Sequence, residues 1–512
     1  MPKISRRNFL VSSAIAAVAA RLSAQGPGWV EASLSIPQEA TGPNIPEDFL
    51  GLSYEIEQLS DPAFFSPGNS GLVRAFKELS PRGVLRTGGN TGEFAWWKPS
   101  PDSPEPPHPP TREVVGEPKA EYYAVTAEAV RNLADFLAAT GWSCIYGLNM
   151  GTNTPERAAD EAAFAAKTLG GKLQYFQIGN EVDLFGRHLR DPQTWSVKTY
   201  LNQWLSIARA IRARVPAASF GIPDVASNVS WLTQIADMWG SISDPPQLAV
   251  LSHHHYFGGP ATNPQVNIPN LLAPAEMIKV QHTADEATAG AARLGLRVRM
   301  TEGNTCYRGG KPGLSDVFAA ALWAADYSLV LAANNYTGIN LHGGSGKSVA
   351  NGLGGFLPGD VMLKEQGMTP EQIASHPHPF YTPIATFGDK YVLQPVAYGL
   401  KFAGALSGGT IFKADFSAKL QTAGVNATAY AAKLKNGSTA LAILNKDAET
   451  NLFLHLDFGA GRTDLVATRL LSAPSLESRE LANVPSPISV HLADGKFSAH
   501  VPRASAMLLR IG

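Results

Sequence analysis

The run Lys172–Leu173–Gln174–Tyr175–Phe176–Gln177–Ile178–Gly179–Asn180–Glu181 decides how this chain is read, together with Leu296–Arg297–Val298–Arg299–Met300–Thr301–Glu302–Gly303–Asn304. Each is a β-rich stretch that breaks into a glycine-bearing loop at a glutamate. A glutamate at such a break is badly placed for packing and well placed for chemistry. The two stretches contain the fourth and seventh of eight strand-like segments: Phe49–Glu55, Gly83–Thr87, Ser143–Asn149, Leu173–Gly179, Ser219–Asp224, Ala249–His255, Arg297–Glu302 and Gly338–His342. Helical periodicity fills most of the gaps, in Thr126–Ala139, Pro155–Leu169, Thr194–Val215, Trp231–Trp239, Ala275–Leu294 and Ser315–Ala333. Eight strand-then-helix units predict an α/β fold, a (β/α)8 TIM barrel over residues 46–390. A doubly wound open sheet is the rival, but no glycine-rich phosphate loop follows the first strand.

Beyond about residue 390 the pattern changes to short β-like runs: Thr410–Phe416, Ala427–Lys433, Thr439–Asn445, Leu452–Phe458, Ile488–Leu492 and Ala504–Ile511. Asn436–Gly437 and Asp494–Gly495 read as hairpin turns. Residues 391–512 are therefore expected to form an accessory β-sandwich. The early run Trp29–Ile36, within 25–45, has no evident barrel partner and is expected to complete that sandwich. Two insertions, Pro99–Pro118 and Ser345–Pro379, follow strands two and eight, where barrels build their pockets.

The N-terminus reads differently. Ser5–Arg6–Arg7–Asn8–Phe9–Leu10, the apolar run Val11–Ala20 and the small residues Leu22–Ser23–Ala24 make a twin-arginine signal peptide over residues 1–24. Export by the twin-arginine machinery predicts a periplasmic or extracellular protein. The apolar run is too short for a permanent membrane anchor. Composition agrees with a globular chain: 512 residues, 44% hydrophobic, 17% charged and a net charge of −1 give no basic excess for a nucleic-acid partner. Cys144 and Cys306 are the only cysteines and read as two separate thiols.

Strand C-termini of a barrel open into one mouth, so Glu181 and Glu302 should meet there. If strand four stays extended, Tyr175, Gln177 and Gly179 share a face with Glu181, while Phe176 and Ile178 pack outward. Two facing carboxyl groups are the equipment of a glycosidase. Arg86, in Leu85–Arg86–Thr87–Gly88–Gly89–Asn90, is placed to hold one of them ionised. Gly88 and Gly89 would let backbone approach a sugar closely. Glu55 or Glu57 at the end of strand one would reach sugar hydroxyls, and His342 at the end of strand eight would line the pocket. The run His253–His254–His255 invites a metal reading, but alternation turns the middle ring away from its neighbours. No metal and no organic cofactor are expected.

Asn180–Glu181 after strand four, with Glu302 ending strand seven, resembles the clan A retaining glycoside hydrolases. The resemblance implies that Glu181 is the acid/base, Glu302 the nucleophile, and Asn180 a ligand of the sugar 2-hydroxyl. Within the clan, Gln177–Phe185, His254–His255–Tyr256 and Thr301–Glu302–Gly303–Asn304 with Tyr307 resemble glycoside hydrolase family 79, the β-glucuronidase and heparanase-like group. That resemblance implies a hydrogen bond from Tyr256 to the nucleophile. It also implies that a sugar carboxylate is received among Gly303, Tyr307, Lys347 and Tyr381, while Asn90, at the end of the strand-two segment, is a further candidate substrate-binding residue. The expectation is a retaining, exo-acting β-glucuronidase whose partner is a carbohydrate carrying a terminal uronic acid. The rivals are a neutral-sugar glycosidase of the same clan (a β-xylosidase or arabinofuranosidase), an endo-acting heparanase-like enzyme, and a non-catalytic carbohydrate-binding protein.

Overall fold

The computed structural model describes residues 28–37, 39, 41–459, 465–485, 489–493 and 495–512. The signal-peptide reading of 1–24 and residue Asp494 of the second hairpin turn lie outside them. Eight parallel strands close into a barrel: Leu50–Glu55, Val84–Gly88, Ser143–Leu148, Leu173–Ile178, Ser219–Val225, Gln247–Tyr256, Val298–Asn304 and Tyr336–Gly343. Each expected strand is found within a few residues of its expected bounds.

Helix ends follow from local chemistry. Thr126 and Thr154 cap Ala127–Thr140 and Pro155–Leu169 by accepting backbone N–H groups, and Gly141 at φ +83° stops the first of these. Inside the barrel, Val84, Ile145, Tyr175 and Val250 form an apolar plug. Two residues further along three of these strands, Arg86, Gln177 and Ser252 make a polar layer nearer the mouth, joined by hydrogen bonds. Phe176 and Ile178 pack outward in the main core, as alternation requires.

The eighth helix, Pro395–Gly404, packs on Phe318–Ala333. The barrel therefore continues past residue 390, and the sandwich strands start at Thr410. The boundary read from the sequence was too early, because this helix is short and directly precedes the β-rich region. The sandwich has two sheets. One runs Trp29–Ser35, Asn451–Asp457, Lys496–Val501, Ser489–Ala493, with the N-terminal strand parallel to Asn451–Asp457. The other runs Thr410–Lys413, Ala427–Lys433, Thr439–Asn445, Ser505–Ile511, Leu465–Ser472, Ala482–Pro485. Leu465–Ser472, Ala482–Pro485 and Lys496–Val501 were not anticipated.

The helix Phe318–Ala333 is apolar all round and buried along almost its whole length, because barrel, eighth helix and sandwich all cover it. Its one acid, Asp326, accepts from Thr428 (2.8 Å) and Tyr430 (3.0 Å) and pairs with Lys446, all on the sandwich. A buried charge with a full set of partners fixes how the two domains sit. Cys144 and Cys306 are both buried and free. No described helix is long and apolar enough to cross a membrane.

At Gly399 the eighth helix approaches its neighbour so closely that a Cβ would stand 2.1 Å from the Ala321 carbonyl oxygen. Gly399→Ala is expected to destabilise the protein by about 1–3 kcal/mol, the usual cost of overpacking. Urea unfolding checks this; an unchanged midpoint would contradict the packing described.

Candidate active site

The mouth of the barrel holds a pocket of about 640 Å³, within the range that takes a sugar and part of its leaving group. Glu181 and Glu302 both line it, and one carboxylate oxygen of each lies within 4.8 Å of the other and of a His254 ring nitrogen. Neither glutamate gets there by regular strand geometry. Strand four ends at Ile178, and Gly179 (φ +86°) and Glu181 (φ +49°) turn left-handed, so the glutamate enters the mouth through a turn rather than an extended strand. The Glu181 N–H is tied to the Asp224 carbonyl at 2.8 Å. In strand seven the pairing with strand six shifts between Met300 and Glu302. This bulge re-aims Glu302, which strict alternation would send outward with Met300.

Arg86 is the centre of the site. Its Nε donates to Gln177 (3.1 Å), Nη1 to Ser53 (3.0 Å) and Glu302 (2.8 Å), and Nη2 to Asn180 (2.7 Å) and Asp224 (2.5 Å). All five guanidinium donors are thus used, in a fully buried position. Glu302 also accepts from Tyr256 (2.9 Å), as expected. His342 stands 3.6 Å from Glu302 and 3.5 Å from Glu55.

The two glutamates are driven apart in acidity. Burial raises the Glu181 carboxyl above its ordinary value, and the nearby Glu302 charge adds to this, outweighing His254. Burial would raise Glu302 too, but His342, His254 and Arg86 together outweigh it and hold its carboxyl down at about 2. His254 lies between Glu181 (Nδ1, 3.0 Å) and Asp224 (Nε2, 3.1 Å, at an angle that makes an ion pair rather than a hydrogen bond). Burial disfavours its charge, yet Asp224 and Glu302 raise it to about 10.

Glu181, His254 and Glu302 are near enough together to raise the question of a metal ion. A protonated imidazole facing carboxylates through both nitrogens has no lone pair to give. The donor set does not fit a metal, and the other two histidines diverge, His253 to Tyr336 and His255 to Glu276.

The remaining expected residues divide into two groups. Glu55, Asn90, Tyr256, Tyr307, His342 and Tyr381 line the pocket. Asn180 lies just beneath, its amide donating to Asn90 at 3.0 Å. Four others do not take the places expected. Gly88 and Gly89 make room for side chains, not for sugar: a Cβ at Gly88 would stand 2.3 Å from the Arg86 guanidinium carbon, and one at Gly89 2.3 Å from a Glu55 oxygen. Gly303 is buried within strand seven, paired with His255. Lys347 is exposed and outside the pocket wall, because the Ser345-capped helix Gly346–Asn351 turns Ser348 and Val349 inward and leaves residue 347 in solvent.

Three supporting residues were missed. Asp224, at φ +63°, bridges Arg86 and His254. His254 stood out in the histidine run and the family segment but was given no role toward the two glutamates. Glu93 is buried and accepts N–H groups from Met150 (2.9 Å), Gly151 (2.5 Å) and Asn180 (2.6 Å), pinning the turn that presents Glu181. Burial outweighs those bonds and raises its carboxyl to about 7. The only sequence signal for Asp224 was its position at a strand end; nothing marked Glu93.

The Pro99–Pro118 insertion crosses the mouth. Arg112 ties it to the segment after strand four, through its N–H to His188 (3.0 Å) and its guanidinium to the Gly186 (2.7 Å) and Arg190 (2.5 Å) carbonyls. Gly116 and Glu117 reach the pocket wall, with Glu117 paired to Arg187 at 3.4 Å. Gly354, after strand eight, touches the Glu117 carbonyl so closely that a Cβ there would stand 2.8 Å away.

No family model matches the chain. Among curated proteins it resembles a β-glucuronidase of Aspergillus niger, 27% identical over 344 residues (61% of each chain). A β-glucuronidase of Neurospora crassa is 26% identical over 352 residues, 61% of this chain and 60% of the relative. The match thus spans about 60% of the length of these relatives. Among solved structures, a 4-O-α-L-rhamnosyl-β-D-glucuronidase from Fusarium oxysporum superposes with a TM-score of 0.67 at 17% identity, over 94% of this chain and 100% of that one. A family 51 arabinofuranosidase from Xanthomonas axonopodis pv. citri gives 0.64 at 15% identity, over 95% and 100%. The fold is the (β/α)8 barrel with β-rich companion domain of these glycosidases.

Removing the Arg86 charge with Arg86→Met leaves Asp224 and Glu302 buried without their cation. This is expected to cost about 3–5 kcal/mol in urea unfolding; a loss below 1 kcal/mol would contradict the role of Arg86. The charge on His254 has its own signature. Its folded value of about 10 is raised above the ordinary 6.5, so its contribution is complete below pH 6.5 and is lost as pH rises toward 10. The difference in unfolding free energy between wild type and His254→Asn is expected to be largest below pH 6.5 and to shrink toward pH 10.

Proposed function

We propose that this protein is a retaining, exo-acting β-glucuronidase. One observation carries the reaction type: two pocket carboxyls in near contact, one raised in pKa by burial and the other held down at about 2 by two histidines and a guanidinium. Carboxyl pairs about 5 Å apart suit attack by one of them on the anomeric carbon; inverting pairs stand at least about 6.5 Å apart to admit water. Glu181 gives its proton to the glycosidic oxygen while Glu302 bonds to the anomeric carbon and the leaving alcohol departs. Glu181, now ionised, takes a proton from water, whose oxygen displaces Glu302 and restores the original configuration. His254, hydrogen-bonded to Glu181 and close to Glu302, stabilises whichever of the two is charged.

The substrate class draws support from the two curated relatives, both β-glucuronidases by name. Exo action draws support from the Pro99–Pro118 strap, which spans the mouth from the segment after strand four to the one after strand eight and leaves a pocket where an endo enzyme needs an open cleft. Asn180 is assigned to the sugar 2-hydroxyl; Glu55, Asn90 and His342 face the other hydroxyls. The N-terminal residues 1–24 fit twin-arginine export to a periplasmic or extracellular site of action.

On 4-nitrophenyl β-D-glucuronide, Glu302→Gln is expected to retain less than roughly a ten-thousandth of wild-type kcat/KM. Glu181→Ala should lose roughly 10²- to 10⁴-fold in kcat, and added azide should restore turnover and yield the β-glucuronyl azide. Azide product of α configuration, wild-type-like hydrolysis by Glu302→Gln, or faster wild-type turnover of the matching xyloside or arabinofuranoside would overturn the reading.

A further inference from the structure

Arg308 lines the pocket yet has no hydrogen bond and no carboxylate partner, unlike the other cations near it among the described residues. Arg187 is paired with Glu117, Lys311 donates to the Val266 carbonyl, His255 faces Glu276, and His254 and His342 face carboxylates. The Arg308 side chain is half-buried at the pocket wall, so its donors are open to a ligand that enters the pocket.

Its position is built rather than incidental. Arg308, Gly309 and Gly310 have φ of +64°, +86° and +88°, a left-handed bend that an arginine adopts only at a cost in strain. The bend packs against its neighbours at both glycines: a Cβ at Gly309 would stand 2.7 Å from the Leu357 side chain, and one at Gly310 2.6 Å from the Tyr381 nitrogen. On the far side the guanidinium lies against Gly116 of the strap, where a Cβ would stand 2.2–2.5 Å from three of its atoms. Arg308 is therefore held between the strap and the Tyr307–Tyr381 side of the pocket with its donors unused. The pocket wall also carries the acids Glu55, Glu117, Glu181 and Glu302, and its other basic side chains, Arg187, His254, His255 and His342, already face carboxylates. An anionic sugar entering it needs one free cation, and a guanidinium offers a carboxylate two parallel donors.

We propose that Arg308 is the specificity-determining residue that receives the uronate carboxylate, in the place where Lys347 was expected. The inference rests on the glucuronidase reading. It adds a charged ligand to the tyrosines and makes the preference for an acidic over a neutral hexose depend on one side chain.

The test compares 4-nitrophenyl β-D-glucuronide with 4-nitrophenyl β-D-glucoside, which carries a hydroxymethyl group in place of the carboxylate, and measures D-glucuronate binding by calorimetry. Arg308→Gln is expected to lower kcat/KM on the glucuronide by roughly 100-fold, mainly through KM, and to weaken D-glucuronate binding in proportion, with glucoside turnover unchanged or raised. Arg308→Lys, which keeps the charge without the two parallel donors, should fall between, and it stands in should Arg308→Gln fail to fold. A wild-type enzyme that turns over glucuronide, with an unchanged glucuronide-to-glucoside ratio and unchanged D-glucuronate binding in either variant, overturns the role of Arg308 alone. A wild-type enzyme that does not hydrolyse glucuronide at all overturns the reading beneath it.

Discussion

Everything at the mouth of this barrel depends on one buried guanidinium. Arg86 joins side chains from strands one, four, five and seven, through Ser53, Gln177, Asn180, Asp224 and Glu302, with no donor left over. A buried cation with all its donors satisfied and two carboxylates beside it repays its desolvation; one with fewer partners would not. Burial weakens the Arg86 charge, but Asp224, Glu302 and Glu55 more than restore it. The same charge, with His342 and His254, keeps Glu302 ionised through a direct hydrogen bond, whereas Glu181 makes no bond to Arg86 and its carboxyl is raised by burial. The contrast between an acid and a nucleophile thus comes from burial of Glu181 on one side and from His342, His254 and this guanidinium around Glu302 on the other, and Gly88 is what lets the arginine sit there.

The acids that surround Arg86 share a second property. Glu181 and Asp224 occupy left-handed backbone, and Glu302 follows a bulge. Regular strands would divide these side chains between the inner and outer faces of the barrel. Local departures from the strand conformation turn all three inward, and the hydrogen bonds of Glu93, Asp224 and Arg86 hold those departures in place. Strain of this kind persists only where the surroundings over-determine it. The buried polar layer is that surrounding.

Much of this was legible in the sequence, and the illegible part has a physical reason. Strands and long helices were readable because their apolar positions repeat. Glu181, Glu302 and Arg86 stood out because polar groups at strand ends have no packing role, whereas Tyr256 was marked only by the family resemblance. Left-handed and bulged backbone leave no periodic trace, so the route by which Glu181 and Glu302 reach the pocket could not be read. Glu93 and Asp224 act by accepting hydrogen bonds across the barrel from residues distant in sequence, and no local pattern encodes such a partnership. Lys347 looked suitable because it lies beside glycines after strand eight; the cap at Ser345 sets the helix phase that turns it outward. Arg308 was passed over beside Tyr307, and only the geometry of its bend reveals that it is unpaired.

The division of labour between the two glutamates is tested most directly by trapping the intermediate. A 2-deoxy-2-fluoro-β-D-glucuronyl fluoride reacts readily but releases its sugar slowly, so the covalent species accumulates. Mass spectrometry of the digested protein is predicted to place one fluoroglucuronyl group on the peptide carrying Glu302. A label on the Glu181 peptide, or inactivation-free turnover to a product of inverted configuration, would contradict the assignment.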